Sequence, residues 1–541
     1  MKVIIIGGVA ASTKVAAKLK RENYDYDVTI LTKSKYISYA GCGLPYYIGK
    51  VIQQRDQLIV NTPGSFSKLT GVTVMTETEV TKVNPDDKTV HARNLKTNET
   101  LSLSYDKLVI ASGAEAVRPP VDGINLKNVF SLRTPDDAEA LCRVVEAGDI
   151  KRVVIVGGGY IGLEIAENLS SSGIRTIIIY MAKHILPGFD EEFAEYIENY
   201  LADQGIMTFT DTKLEAIIGE EKVEKVQANK RAFKADAVIL CTGIRANTDF
   251  IVDSGIELMP DNTVKVNEYL QTNFKDIFAV GDCATVKNRI TNEHTWSPMG
   301  STANIAGRIA AQNIAGKKTA YPGVLRTSVA RLPNINVGRT GLTEKAAKKA
   351  GYDAVSVTAV VDDKAHYYPD ASNYIVKMTA DRKSRYLLGL QVIGKGAVDK
   401  MVDIAATAIS LGATLHDIVN IDLAYAPPFS TAIHPFLHTV NILLNKFDGV
   451  FKTMTPEDYL KGEARDYKVI DVSKNPSIDG AHYVNLEEVN GELSEYAKNE
   501  KLLLVCTKGK RAYMLQKRLK HFGYTDTLVL EGGTTFNEVR I

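Results

Sequence analysis

The chain has 541 residues, a formal net charge of +1, 45% hydrophobic and 24% charged residues. That length predicts about three to four domains of ordinary globular composition, and so small a net charge excludes a global basic field that would draw nucleic acid or a membrane surface. No apolar run reaches the roughly 20 residues of a membrane span, and five cysteines scattered without a CxxC pair exclude a zinc knuckle and argue against a disulfide framework, so a cytoplasmic location is expected.

Residues 2–6 form an apolar run that reads as a first strand rather than a signal peptide, because glycines punctuate it and no cleavage site follows. Gly7-Gly8-Val9-Ala10-Ala11-Ser12 then opens a helix to about Arg21, and a second strand runs from Asp27 to Leu31. Strand, turn, helix and strand in this order make a dinucleotide-binding unit. Its turn is degenerate: Gly7 is kept, Val9 and Ser12 stand at the second and third glycine positions, and Thr32 stands where an acid would grip the adenosine ribose. Next comes Ser38-Tyr39-Ala40-Gly41-Cys42-Gly43-Leu44-Pro45-Tyr46. A cysteine between two glycines reads either as a small buried hydrophobe in a turn or as a thiol placed against a flat partner.

The second unit is complete. Residues 151–156 lead into Gly157-Gly158-Gly159-Tyr160-Ile161-Gly162-Leu163-Glu164, and the following strand ends at Tyr180, where an acid would meet the 2′-OH of NAD. Without that acid nothing repels a 2′-phosphate, and Lys183 and His184 lie nearby, so NADPH is as plausible as NADH. Two apolar strands end in small-x-Gly, at Ala111-Ser112-Gly113 and Cys241-Thr242-Gly243, and a third ends in Gly281-Asp282, whose carboxylate can accept from a ribityl hydroxyl.

This order resembles the pyridine nucleotide–disulfide oxidoreductases. The resemblance implies an α/β fold with two Rossmann-like domains, one for FAD (1–114 and 246–322) and one for NAD(P)H (115–245), and an α+β dimerisation domain (323–446). It implies FAD contacts from Gly7, Gly8, Ala10, Ala11, Thr32, Ala111, Gly113, Gly281 and Asp282. NADH or NADPH would contact Gly157, Gly159, Gly162, Glu164, Tyr180 and Gly243. Members with a dithiol carry a second cysteine five positions on, but here that position is Tyr47. A single cysteine must cycle through a mixed disulfide, a persulfide or a sulfenate. His366-Tyr367-Tyr368-Pro369 and residues 423–430 look like the tyrosine motifs of coenzyme A-disulfide reductases. They imply a homodimer in which Tyr367 and Tyr425 approach Cys42 of the partner subunit. In the same branch Lys14, Lys18, Arg21, Ser38 and Asn304 would hold CoA, as substrate or bound carrier. Departures are Gly41 for asparagine, Ile433 and His434 for a Lys-Asp pair, and Thr70 for a cation. An NADH oxidase working through a Cys42 sulfenate is an alternative, opposed by Ala10 where such enzymes have a histidine. A sulfur sensor or carrier of low activity is another, because both nucleotide fingerprints are worn.

Residues 445–450 read as a linker, and Thr455-Pro456 as a helix start. A buried strand at 501–505 ends in Cys506-Thr507-Lys508-Gly509-Lys510-Arg511 before a helix, an arrangement in which helix dipole and cations favour a thiolate. The loop, the His482 stretch and Glu531-Gly532-Gly533 resemble a single rhodanese domain (447–541), although Ser473 replaces an arginine common there. The resemblance implies that Cys506 carries sulfane sulfur and relays it towards Cys42 by way of CoA.

Overall fold

The computed structural model describes residues 1–229 and 231–540. They form two compact units, Met1–Pro187 with Leu201–Val324, and Gly188–Tyr200 with Leu325–Ile541.

The first unit contains one architecture twice. One five-stranded parallel sheet runs Ile277–Ala279, Lys107–Ile110, Lys2–Ile6, Asp27–Leu31, Thr73–Met75. The other runs Val129–Ser131, Ala237–Leu240, Arg152–Val156, Arg175–Ile179, Met207–Phe209. Strands covered on both faces need unbroken apolar runs, and Val3, Ile4 and Ile5 here, like Val154 and Ile155 there, have no exposed surface. The helix Ala10–Glu22 packs on Gly300–Ile314 at Gly307, where an added Cβ would lie 2.9 Å from the Ala11 carbonyl. The expected strand at 151–156 begins one residue later, at Arg152.

The second unit opens with an antiparallel sheet ordered Ser328–Leu332, Ile335–Gly341, Leu387–Gly394, Asn373–Asp381, Ala354–Asp362. Gly188–Tyr200, expected inside the 115–245 span, belongs to this unit instead. A buried ion cluster ties it there: Lys377 Nζ lies 3.0 Å from Asp190 and 2.5 Å from Glu192. Burial alone would lower the Lys377 pKa, and the two carboxylates hold it above its ordinary value. Expected linker residues 445–447 are also corrected, because the helix Pro435–Phe447 runs through them. The chain ends in a five-stranded parallel sheet ordered Thr453–Met454, Thr527–Leu530, Leu502–Val505, Lys468–Asp471, His482–Tyr483. Its first helix, Pro456–Leu460, has proline in its first turn, and its Thr455 cap accepts from Asp458 N–H. Among the described residues no helix is long and apolar enough to cross a membrane.

Candidate redox and cofactor site

Each nucleotide turn is built by a close strand crossing. Gly7 has φ +117°, and a Cβ there would sit 2.0 Å from the Ala111 carbonyl; Gly157 has φ +130° and 2.1 Å to that of Cys241. Only glycine tolerates both the angle and the approach. Beyond Gly157 the turn stays tight, since a Cβ on Gly162 would lie 2.1 Å from the Gly157 carbonyl, whereas Gly159 faces open space at the helix N-terminus. That opening at a helix N-terminus, where first-turn N–H groups have no partner within the helix, suits a pyrophosphate. In the first unit Ser12 fills the third position and turns its hydroxyl onto the Val9 carbonyl at 3.1 Å. Gly113 (φ +72°) is open, and Gly281 (φ +81°) lies close over Ala11. These cradles fit two dinucleotides. Thr32 and Tyr180 play matching parts behind the turns, packing against Gly8 and Gly158. Thr32 is buried and accepts from Ser34 N–H at 3.4 Å, so its hydroxyl is turned into its own loop.

Cys42 lies in the short helical turn Gly41–Gly43, directly before Leu44–Ile48. Gly43 packs tightly on Leu58, while Gly41 has nothing near it and Cys42 is exposed. Desolvation by the surrounding walls raises the Cys42 thiol pKa; the carboxylates of Glu164 and Asp282 add to the rise, and Arg133 opposes it. The Arg133 guanidinium donates to Asp282 at 2.6 Å and to the Ala114 carbonyl at 3.1 Å. Sequence reasoning missed this arginine. It stands at the entry to a capped helix, and its pairing with Asp282 spans 149 positions. Glu164 accepts from the Tyr46 hydroxyl at 3.2 Å.

Burial lifts the Glu164 pKa from 4.5 to about 7. A carboxyl whose folded pKa is raised lets the unfolded chain ionise first. Stability of the cofactor-free protein should therefore fall between about pH 4.5 and 7 and level off above, by roughly 2–3 kcal/mol. Urea unfolding across that range should show the slope, and Glu164→Gln should flatten it.

Of the expected CoA contacts, Lys14, Lys18 and Arg21 share the helix Ala10–Glu22. Lys18 is committed to Glu22 at 2.6 Å, which also binds Lys317, so its charge is largely spent within the fold. The Ser38 hydroxyl accepts from Asn61 Nδ2 at 3.3 Å, and Asn304 Nδ2 donates to the Gly300 carbonyl at 2.8 Å.

In the second unit Tyr367 and Tyr425 come together. The neighbouring Tyr425 hydroxyl raises the Tyr367 pKa. They are 66% and 49% exposed, and Phe429 is 68% exposed, more aromatic surface than a monomer leaves in water without reason. His434 is no substitute for a charged substrate contact. It is buried, caps the helix Pro435–Phe447 by accepting from Phe436 N–H at 3.2 Å, and its pKa falls to about 4.

Cys506 ends the strand Leu502–Val505, and Gly509 N–H donates to its sulfur at 3.1 Å. Gly509 takes φ +90° as the cap of Lys510–His521. Arg511 Nε donates to the Val472 carbonyl at 2.9 Å, beside the place where Ser473 lacks a guanidinium. Thr534 and Thr535 N–H hold the carbonyls of Cys506 and Thr507, each at 3.1 Å. Lys508 reaches Asp362 at 2.5 Å, a partner the sequence did not suggest.

Residues 1–300 match the family model "Pyridine nucleotide-disulphide oxidoreductase", and residues 331–435 match its dimerisation domain. The chain belongs to the pyridine nucleotide-disulphide oxidoreductase family. FAD and NAD(P)H are accordingly its cofactors, as the two cradles require. Among curated relatives of the family, the "NAD(P)H coenzyme A polysulfide/persulfide reductase" of Pyrococcus horikoshii is 34% identical, over 82% of this chain and 98% of its own. The "NADH oxidase" of Methanocaldococcus jannaschii is 34% identical over 80% and 97%. The solved structure of a NAD-dependent persulfide reductase from A. fulgidus superposes with a TM-score of 0.94 at 33% identity, over 99% of this chain and 100% of that one.

Proposed function

We propose that this oxidoreductase reduces CoA persulfide, CoA disulfide or polysulfide through Cys42 as its single redox cysteine. The observation that carries the reading is an exposed Cys42 beside Glu164, Asp282 and Arg133, with Tyr47 where a second sulfur would stand. The Cys42 thiolate attacks the substrate S–S bond, a new S–S bond forms on Cys42, and the departing thiolate takes the electron pair. Held at the Gly7, Gly113 and Gly281 turns, FAD would supply the electron pair from NAD(P)H; on the chain's side, the S–S bond on Cys42 breaks, its outer sulfur leaves as a thiolate or hydrosulfide, and Cys42 returns to the thiolate. Because Glu164 and Asp282 oppose the thiolate, Cys42 needs donors from elsewhere. The neighbouring Tyr367 and Tyr425, exposed on the dimerisation domain, supply them to Cys42 of the partner subunit in a homodimer.

The C-terminal domain is a rhodanese-like sulfurtransferase in this reading, with sulfane sulfur held on Cys506. Support comes from the Gly509 N–H on its sulfur, the loop cations, and the A. fulgidus persulfide reductase, whose likeness extends over this domain. Steady-state rates with NADH and NADPH against CoA disulfide, CoA persulfide and polysulfide test the reductase. Substantial turnover is expected with at least one CoA-borne acceptor. The M. jannaschii relative favours a second reading, an NADH oxidase. Ala10 leaves no imidazole at the turn, so oxygen consumption with NAD(P)H alone should be slow; fast turnover to water would establish the oxidase instead.

A further inference from the structure

Read as a loop alone, Cys506–Arg511 is an anion trap with Lys508, Lys510 and Arg511 around one sulfur. In the fold part of that charge is neutralised. Arg511 is committed to the Val472 carbonyl and lies 3.8 Å from Glu487. Lys508 pairs with Asp362, which belongs not to this domain but to the end of the dimerisation-domain strand Ala354–Asp362.

The position of Asp362 is fixed by a second tie along the same strand. Glu531, 3% exposed, accepts from Thr358 N–H at 2.7 Å, from Lys446 at 2.5 Å and from the Thr453 hydroxyl at 2.6 Å. Gly532 and Gly533 follow it, and a Cβ on Gly533 would lie 2.0 Å from the Cys506 carbonyl. Thr534 and Thr535 then hold the loop carbonyls. The strand Ala354–Asp362 thus ties the cysteine loop through Lys508 and, through Thr358 and Glu531, the segment whose Gly533, Thr534 and Thr535 pack on that loop, which places the Asp362 carboxylate on the loop's own cation.

We propose that Asp362 sets donor choice at Cys506, disfavouring small inorganic dianions and favouring sulfane sulfur carried on an organic thiol. The proposal rests on the sulfurtransferase reading. In transfer, the Cys506 thiolate attacks the sulfane sulfur, a Cys506 S–S bond forms and the donor bond breaks. The electron pair leaves with an organic thiolate, or with sulfite when the donor is thiosulfate. No outside oxidant is needed. A dianion feels each local charge twice as strongly as the monoanionic end of a persulfide, so cancelling Lys508 penalises it more.

The test compares thiosulfate with the persulfide of a short, otherwise uncharged alkyl thiol as donors to cyanide, using the full-length holoprotein at low ionic strength. Asp362→Asn should raise the thiosulfate-to-persulfide ratio of kcat/KM by about tenfold. Lys508→Gln should lower it, the double variant should return it near the native value, and added salt should shrink all these differences. A purely structural role would slow both donors alike and leave the ratio unmoved, which would overturn the proposal. Mass analysis of the Cys506 peptide separates the two levels. If native protein loads sulfur from neither donor, the sulfurtransferase reading falls and takes this inference with it. If it loads sulfur and the ratio stays fixed, only the role of Asp362 falls.

Discussion

Cys42→Ser should lower NAD(P)H-dependent reduction of CoA-borne sulfur by at least about a thousandfold, while reduction of the flavin by NAD(P)H continues at a near-native rate. The two half-reactions part because they use different atoms. Hydride delivery depends on the glycine turns and their cradles, which Cys42 does not touch. Sulfur chemistry depends on a thiolate, and a serine hydroxyl of similar size is neither acidic nor soft enough to replace it. No other cysteine of the nucleotide-binding unit can take over: Cys142 and Cys283 are buried, burial lifts the Cys142 pKa to about 11, and Cys241 is pushed up to about 12. Anaerobic rapid mixing, following flavin absorbance first with NAD(P)H and then with CoA persulfide, separates the halves. Equal loss in both would mean that the substitution damaged the fold, and no loss in either would remove Cys42 from the mechanism.

Gly157→Ala should unfold or empty the nicotinamide half. At φ +130° a Cβ meets the Cys241 carbonyl at 2.1 Å, and both residues directly follow strands buried on two faces, which hold them in place. The combined strain and clash should cost on the order of 3 kcal/mol or more. Gly159→Ala, two residues on, makes the contrast. Its Cβ enters open space, so the thermal midpoint should hardly change, while NAD(P)H affinity should fall because the methyl occupies room meant for pyrophosphate. Thermal unfolding and nucleotide titration of both variants should show stability lost in one and affinity in the other.

Much of the first unit was legible because its signals are local. Apolar runs that need cover on both faces give the strands Lys2–Ile6, which ends at Gly7 with its positive φ, and Asp27–Leu31 residue by residue. What stayed hidden depends on pairings across long stretches of chain. Gly188–Tyr200 reads as part of a nucleotide domain until Lys377 draws Asp190 and Glu192 into a buried cluster. Residues 445–450 read as a linker, yet Lys446 is bound by Glu531, 85 positions away. At the candidate site the reactive residue types were visible and their electrostatics were not. Glycines flag Cys42, but its opposing carboxylates and Arg133 come from three other segments. Lys508 advertises a charge that Asp362, 146 positions earlier, cancels.

The most direct measurement is the mass of the Cys42 peptide after a single anaerobic exposure of reduced enzyme to CoA disulfide, quenched in acid. A CoA mixed disulfide on Cys42, absent from the Cys42→Ser protein, is the predicted result. Full release of CoA thiol with Cys42 unmodified at every quench time, or a sulfenate on Cys42 formed only when oxygen is admitted, would contradict it.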